Sequence, residues 1–304
     1  MSQIEYPYLP EGREFKFVPE DNPMMQQARQ AREKCAGDTI FPIGAVLVRD
    51  GKVLAYAGNG YNKGSMVPHV CPRVVQECPS GEGYELCNMH DSPGHAEQMV
   101  INVAREQGID TKGVDMYFYG HWWACKPCWD YIIDARIRDV YLVEGAYDKF
   151  QRDKVFATTL KPSVKSAYIS GALTNLPEDK KDSQKKLYED LGKVCNELGI
   201  DAYIPHLHSD PETNIDVPSS EVFKIDAQKV CEAGVTIAEV SYPSLGTGGE
   251  LMTAHVHDKP LVLLSKKDTS VSRFAKGNPA VVYHIEYEDS EDACRQLKNV
   301  LKQL

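Results

Sequence analysis

His95-Ala-Glu97 and Cys125-Lys-Pro-Cys128, about 30 residues further on, are the residues of this chain best suited to chemistry. An imidazole and two thiolates are ligands that zinc accepts, and three of them leave a fourth position for water. Zinc bound in this way lowers the pKa of its water towards 7. Glu97 is not needed as a ligand, so its carboxylate is free to take a proton from that water. Cys125 and Cys128 stand three apart at the start of a predicted helix, where they share a face and the helix dipole favours thiolates. His95 and Glu97 are two apart, so a helix opening at His95 has to direct both inward. A lone C-x-x-C also serves as half of a structural zinc site, with His95 then a satisfied core residue.

A second constellation lies in the other half of the chain. Tyr168-Ile-Ser-Gly171 sits on a predicted strand, Asp226 within a predicted helix, and Pro243-Ser-Leu-Gly-Thr-Gly-Gly-Glu-Leu251 follows another strand. Ser244 to Gly249 read as a loop opening a helix, where backbone N–H groups and a hydroxyl hold an anion. Glu250, in that first turn, would stay ionised and point at whatever the loop holds, which suits attack on an oxocarbenium-like sugar centre. A glutamate in a first turn is also favoured by the helix dipole alone.

The elements that must position these groups divide the chain in two. In the first half a helix is predicted over 23–35, a strand pair over 43–48 and 53–57 around an Asp50-Gly51 turn, and a helix from 95. A strand (115–119), a helix (126–135) and a strand (139–143) follow, and 58–93 reads as irregular, rich in Pro, Gly and Cys. The second half alternates strands (166–171, 202–205, 235–240, 260–264, 281–285) with helices (182–198, 220–233, 249–257, 290–301), the pattern of a parallel doubly wound sheet. A polar stretch over 147–166 marks the boundary, giving domains 1–158 and 159–304.

Composition bounds the partners. The 304 residues are 42% apolar and 26% charged, enough for real cores. Apolar runs stop near five residues, as in Pro260–Leu264, against the roughly 20 needed to span a bilayer. No basic-then-apolar segment opens the sequence, so a soluble, cytoplasmic protein is expected. The net charge is -10, with 17 basic and 22 acidic residues on each side of residue 160, so duplex nucleic acid and membrane surfaces are disfavoured as partners. Six of nine cysteines fall in the first 130 residues, which points to metal before disulfides. Beyond Cys125 and Cys128, the thiols of Cys35, Cys71, Cys78 and Cys87 are candidates for a second, structural zinc that orders the irregular stretch, with His69 and His90 as substitute ligands.

His95-x-Glu97 with Cys125-x-x-Cys128 is the pattern of zinc nucleobase deaminases. With Cys71-Pro-Arg, Pro79-Ser-Gly-Glu-Gly-Tyr-Glu-Leu-Cys87 and Gly58-Asn-Gly-Tyr-Asn62, residues 24–145 resemble the deoxycytidylate (dCMP) deaminase family in its cysteine-rich branch. The resemblance implies a three-layer αβα domain, His95, Cys125 and Cys128 as zinc ligands, Glu97 as proton shuttle and Asn62 as a substrate or effector contact. Ala124 stands where the family usually has proline, and Lys63 where its turn has glycine. Trp122-Trp123 read either as a wall of the base pocket or as core.

Residues 165–265 resemble the nucleoside 2-deoxyribosyltransferase-like family, including its 2'-deoxynucleoside 5'-phosphate N-hydrolase branch. That likeness implies a Rossmann-like parallel sheet, Glu250 as nucleophile, Asp226 as acid/base or sugar-hydroxyl partner and Tyr168 near the reacting sugar. It places Ser244 at the phosphate, Gly171, Gly246 and Gly248 in the binding turns, and His206 at a pocket wall. Ala172-Leu-Thr-Asn175 replaces the serine and arginine with which that branch binds phosphate. The expectation is therefore a bifunctional enzyme that deaminates dCMP, or a 5-modified dCMP, to the uridylate and then releases the base from deoxyribose 5-phosphate. A deoxyribosyltransferase, or a deaminase with a silent nucleotide-sensing domain, are the alternatives. Both resembled families form oligomers, so a homo-oligomer is expected.

Overall fold

Asp50 and Gly51 both take left-handed backbone (φ 51° and 72°), and this turn folds β2 (Gly44–Arg49) against β3 (Lys52–Gly58) as an antiparallel pair. β4 (Asp115–Tyr119) lies antiparallel on the other side of β2, then β5 (Val140–Val143) and β1 (Phe15–Val18) continue the sheet in parallel, giving the order β1-β5-β4-β2-β3. A computed structural model of the chain describes residues 4–60, 69–79, 81–87, 89–90, 94–174 and 176–304. The fold divides into two compact units, Met1–Ser65 with Cys78–Leu160, and Met66–Glu77 with Lys161–Leu304.

In the first unit, helices cover both faces of the sheet. α1 (Pro23–Cys35), capped by Asn22, crosses Gly44 and Gly58 so closely that a Cβ there would lie 2.0 Å from the Arg32 nitrogen and 2.2 Å from that of Ala36. The opposite face buries Phe15, Met116, Phe118 and Leu47 beside α3 (Ala96–Glu106) and α4 (Lys126–Asp134), whose Trp129 meets Phe15 at 5.1 Å. β1 arises in what the sequence suggests is a polar tail. Only Phe15 of its four residues is buried, so no alternation announces the strand. Likewise α5 (Ala146–Lys149) and α6 (Arg152–Thr159) fill most of the polar stretch: they bury little beyond Ala146 and Val155 and therefore show no apolar period.

The second unit is an all-parallel sheet of order β10-β9-β8-β6-β7. Its strands are β6 (Ser166–Ser170), β7 (Asp201–Tyr203), β8 (Val235–Glu239), β9 (Leu261–Lys266) and β10 (Val281–Tyr287). Ile169, Ile237, Val262 and Ile285 face α7 (Lys181–Glu197) and α12 (Ser290–Leu301), while Tyr168, Ala238 and Leu263 pack with α9 (Ser219–Glu232) and α10 (Leu245–Val256). Both faces are covered, which is why these strands read as near-continuous apolar runs. The chain passes from β6 outward to β7 and then back past β6 to β8. This reversal opens a crevice at the carboxyl ends of β6 and β8. Part of the irregular stretch belongs to this unit: Val70 and Val75 join its core, and Gln303 Oε1 accepts from the Cys71 nitrogen at 2.7 Å. Among the described residues no helix is long and apolar enough to cross a membrane.

Candidate active sites

In the first unit, His95 and Cys125 each stand in extended backbone immediately before a helix, as the cap residues of α3 and α4. That arrangement turns both side chains across the gap between the two helix starts. His95 Nδ1 lies 3.4 Å from Cys125 Sγ and 3.4 Å from Cys128 Sγ, and the three ligating atoms are all within 4.8 Å of one another. The other ring nitrogen, Nε2, donates to the His90 carbonyl at 2.7 Å, which fixes the tautomer that leaves Nδ1 facing the thiols. One imidazole and two sulfurs at this spacing fit zinc. The hydrogen bond between the two sulfurs and the neighbouring His95 pull the Cys125 thiol down, while the same bond and burial push Cys128 up, so one thiolate is ready before the other. Gln98 Nε2 lies 3.7 Å from Cys128 Sγ.

Glu97 is buried in the first turn of α3 and, among the described residues, does not belong to the His95, Cys125 and Cys128 group. Burial first, and the Cys125 charge after it, push its pKa up to about 7 against the pull of His95. A carboxylate balanced at neutral pH gives and takes a proton with equal ease. Trp123 is buried, and the half-buried Trp122 packs on Tyr6 (5.9 Å) and Tyr147 (4.8 Å), so much of that pair's surface is spent on core.

Beside this site, Cys87 Sγ lies 3.1 Å from His90 Nδ1, and His90 Nε2 lies 2.6 Å from Asp38 Oδ2. Burial opposes its charge, but the Asp38 and Cys87 contacts hold His90 up at about 9. Asp38 is itself anchored by the backbone nitrogens of Ile40 and Phe41 and by Asn59 Nδ2. Among the described residues, Cys35 and Cys78 join no group of three or more metal-ligating atoms, and Cys71 belongs to the second unit. Asn62 lies outside the described residues.

In the second unit, β6 presents Tyr168 and Ser170 to Glu250 on α10. Tyr168 donates its hydroxyl proton to Oε1 at 2.7 Å, and Ser170 donates to Oε2. Burial raises the Glu250 pKa, and these two donors counter it. Asp226, on α9, is raised to about 6 by burial and then by the Glu250 charge, and its Oδ1 is buried without a hydrogen-bond partner. Two carboxylates thus share one site with different partners, the arrangement that separates their protonation states.

The Gly-rich turn differs from its expected form. Ser244 Oγ accepts from the Thr247 nitrogen at 3.2 Å and caps α10, so the helix starts at Leu245 and takes Gly246, Gly248 and Gly249 into its first turns. Glu250 therefore sits in the second turn rather than the first. The cap supplies the nucleus that offsets poor glycine propensity. Gly171 is needed for space: a Cβ there would lie 2.4 Å from the ring of Tyr188, whose hydroxyl donates to the Ala172 carbonyl at 2.9 Å. His206 is buried with Nε2 3.3 Å from Glu189 Oε1.

Three groups escape the motif reading. Ser170 lies inside the quoted Tyr168–Gly171 segment, yet nothing in the sequence pairs it with a residue 80 positions away. Tyr203 lies within a predicted strand as an ordinary strand aromatic. Glu239, at the end of β8, is fully buried and accepts from Gln184 Nε2 (2.6 Å), the Tyr287 hydroxyl (3.0 Å) and the nitrogen and hydroxyl of Ser241. It ties the loop leading to Ser244 to α7 and β10.

Residues 19–144 match the family model of the cytidine and deoxycytidylate deaminase zinc-binding region. Over 84 residues the chain is 36% identical to a putative 2'-deoxynucleoside 5'-phosphate N-hydrolase 1 of Thermofilum pendens; the aligned part is 27% of this chain and 59% of that relative's length. A relative with the same description from Methanosarcina mazei is 26% identical over 136 residues, 44% of this chain and 81% of its own. Among solved structures, the Clostridium botulinum CMP N-glycosidase BcmB is 20% identical with a TM-score of 0.34, covering 44% of this chain and 97% of that one. The chain is thus similar to a deaminase zinc-binding region over residues 19–144 and, over part of its length, to 2'-deoxynucleoside 5'-phosphate N-hydrolases.

Proposed function

We propose that this chain deaminates dCMP, or a 5-modified dCMP, to the uridylate in domain 1–158, and that domain 159–304 then hydrolyses the N-glycosidic bond to give free base and deoxyribose 5-phosphate. What carries the reading is Glu250: a buried carboxylate held by two hydroxyl donors, with a second carboxylate raised to about 6 beside it, in the same chain as the His95, Cys125 and Cys128 cluster.

His95, Cys125 and Cys128 would hold one zinc, which supplies Lewis-acid activation of water when bound. Glu97 takes a proton from the attacking water and passes it to the amino group at C4, which leaves as ammonia. A second, structural zinc would use Cys87 and His90, with Asp38 orienting the imidazole as an outer-shell carboxylate.

In the second site, a Glu250 oxygen bonds to C1' as the C1'–N bond breaks, and Asp226 gives its proton to the departing base. Water then cleaves the sugar ester. Ser244 and the first turn of α10 would hold the 5'-phosphate. A deoxyribosyltransferase differs only in admitting a second base in place of water. A non-catalytic sensor is the reading that the replacement of the phosphate-binding arginine favours. A homo-oligomer is the assembly expected of such an enzyme, and light scattering of the full chain reads it.

Product analysis by mass spectrometry tests the sequence of steps. Zinc-loaded protein is incubated with dCMP, dUMP and their 5-hydroxymethyl forms beside Glu97→Ala and Glu250→Ala variants. Free uracil (or its 5-hydroxymethyl form) from the cytidylate, with stalling at the uridylate in the Glu250 variant, is the expected result. Uridylate as the end product in every case would reduce the second domain to a sensor, and free base transferred to added adenine would make it a transferase.

A further inference from the structure

Two buried polar atoms near the Tyr168–Glu250 pair lack hydrogen-bond partners: the Tyr203 hydroxyl and Asp226 Oδ1. The Tyr203 ring, at the carboxyl end of β7, is stacked on Tyr168 (centroids 5.7 Å apart, planes at 19°) and on His208 (4.7 Å, 8°). The Lys229 ammonium lies 5.5 Å from the centre of the same ring. The Asp226 carboxylate is close enough that, after burial, its charge is what raises the Tyr203 hydroxyl. Yet the two do not bond to each other.

A buried donor and a buried acceptor left open are each costly, by about 1–3 kcal/mol on general grounds, and such groups persist where a ligand, ion or water completes them. The vacant valences differ in kind. Tyr203 offers a proton and Asp226 asks for one. A phosphate or carboxylate accepts from Tyr203 but repels Asp226, and an ammonium satisfies only Asp226. A hydroxyl, of an alcohol or of the water it displaces, does both at once. Next to a carboxylate placed to attack a sugar carbon, that alcohol is a hydroxyl of the sugar itself.

We propose that Tyr203 and Asp226 Oδ1 together grip one sugar hydroxyl of the substrate, so that Tyr203 is a further substrate-binding residue and the site requires a sugar bearing a free hydroxyl beyond its phosphate ester. This rests on reading the second domain as an N-glycosidase. Asp226 Oδ2 remains available for the proton that the base takes.

The experiment compares base release by the full chain from dUMP and from 2',3'-dideoxyuridine 5'-monophosphate, which lacks the hydroxyl, in wild type and Tyr203→Phe. The variant should lower kcat/KM for dUMP by about fivefold to tenfold. Its ratio to wild type on the dideoxy substrate should stay near one. Equal losses on both substrates, or none, overturn the proposal. The melting temperature of the ligand-free variant should hold or rise, because an orphaned hydroxyl is removed; a fall would make that hydroxyl structural and also overturn it. If wild type releases base from neither nucleotide, the glycosidase reading fails instead, and calorimetric binding of the same two nucleotides decides the point. A preference for dUMP that Tyr203→Phe abolishes supports the hydroxyl grip, whereas equal binding or no binding in wild type overturns it.

Discussion

Tyr168 donates to one oxygen of Glu250 across 2.7 Å while Ser170 occupies the other, so the carboxylate is fixed in orientation before any substrate arrives. A hydrogen bond to a charged group contributes about 1.5–3 kcal/mol. Tyr168→Phe should therefore slow base release from dUMP by roughly 10- to 100-fold. It should leave dCMP deamination unchanged and move the acid limb of the pH–rate profile upward, since Glu250 loses a donor that lowers its pKa. Steady-state rates for the two products, followed across pH, check all three.

On the proposed mechanism Glu97 carries the proton in the first site. Glu97→Gln keeps its volume and removes its basicity, so deamination should fall by about 10²–10⁴-fold, the usual worth of a positioned acid/base. Zinc content by elemental analysis should stay at the wild-type value, because Glu97 does not belong to the ligand cluster. Loss of zinc in this variant would move Glu97 into the coordination sphere.

Metal removal separates the two reactions. Dialysis against a strong chelator should abolish deamination, leave base release from dUMP intact, and be reversed by added zinc. Cys125→Ser should reproduce the same split without chelator and release zinc at lower chelator concentrations, since its thiol is the one drawn down towards thiolate. Colorimetric zinc release and the two product assays read the outcome.

Asp226 gives a pH dependence of definite sign. In the proposed role of proton donor it would work in its acid form, so base release should decline as pH rises through about 6, and Asp226→Asn should lose both the activity and that limb. The same raised pKa has a cost. The folded state binds this proton more tightly than the unfolded chain, so stability is lost as pH rises from about 4 to about 6 and stays lost above. Asp226→Asn should therefore stabilise the protein at pH 7 by on the order of 1 kcal/mol, after discounting for a half-exposed group, and by nothing at pH 4. Denaturant midpoints at the two pH values test this.

How much of this was legible in the sequence depends on the range of the signal. The zinc cluster was readable because cap residues and C-x-x-C spacing are local, and two local motifs sufficed to bring His95, Cys125 and Cys128 together. The parallel sheet was readable because strands buried on both faces announce themselves as apolar runs. β1 was not, since a four-residue edge strand with one buried side chain carries almost no pattern. The start of α10 was misplaced because glycines read as loop, whereas the Ser244 cap decides where the helix begins. Ser170 on Glu250, Asp38 on His90 and the orphaned Tyr203 hydroxyl depend on contacts between distant positions, which no spacing rule reports.

The ring of Tyr188 occupies the space that any side chain at position 171 would need, and its hydroxyl holds the next carbonyl. The exit of the chain from β6 is thereby interlocked with α7, so the strand end that carries Ser170 and the helix that carries Tyr188 can change only together.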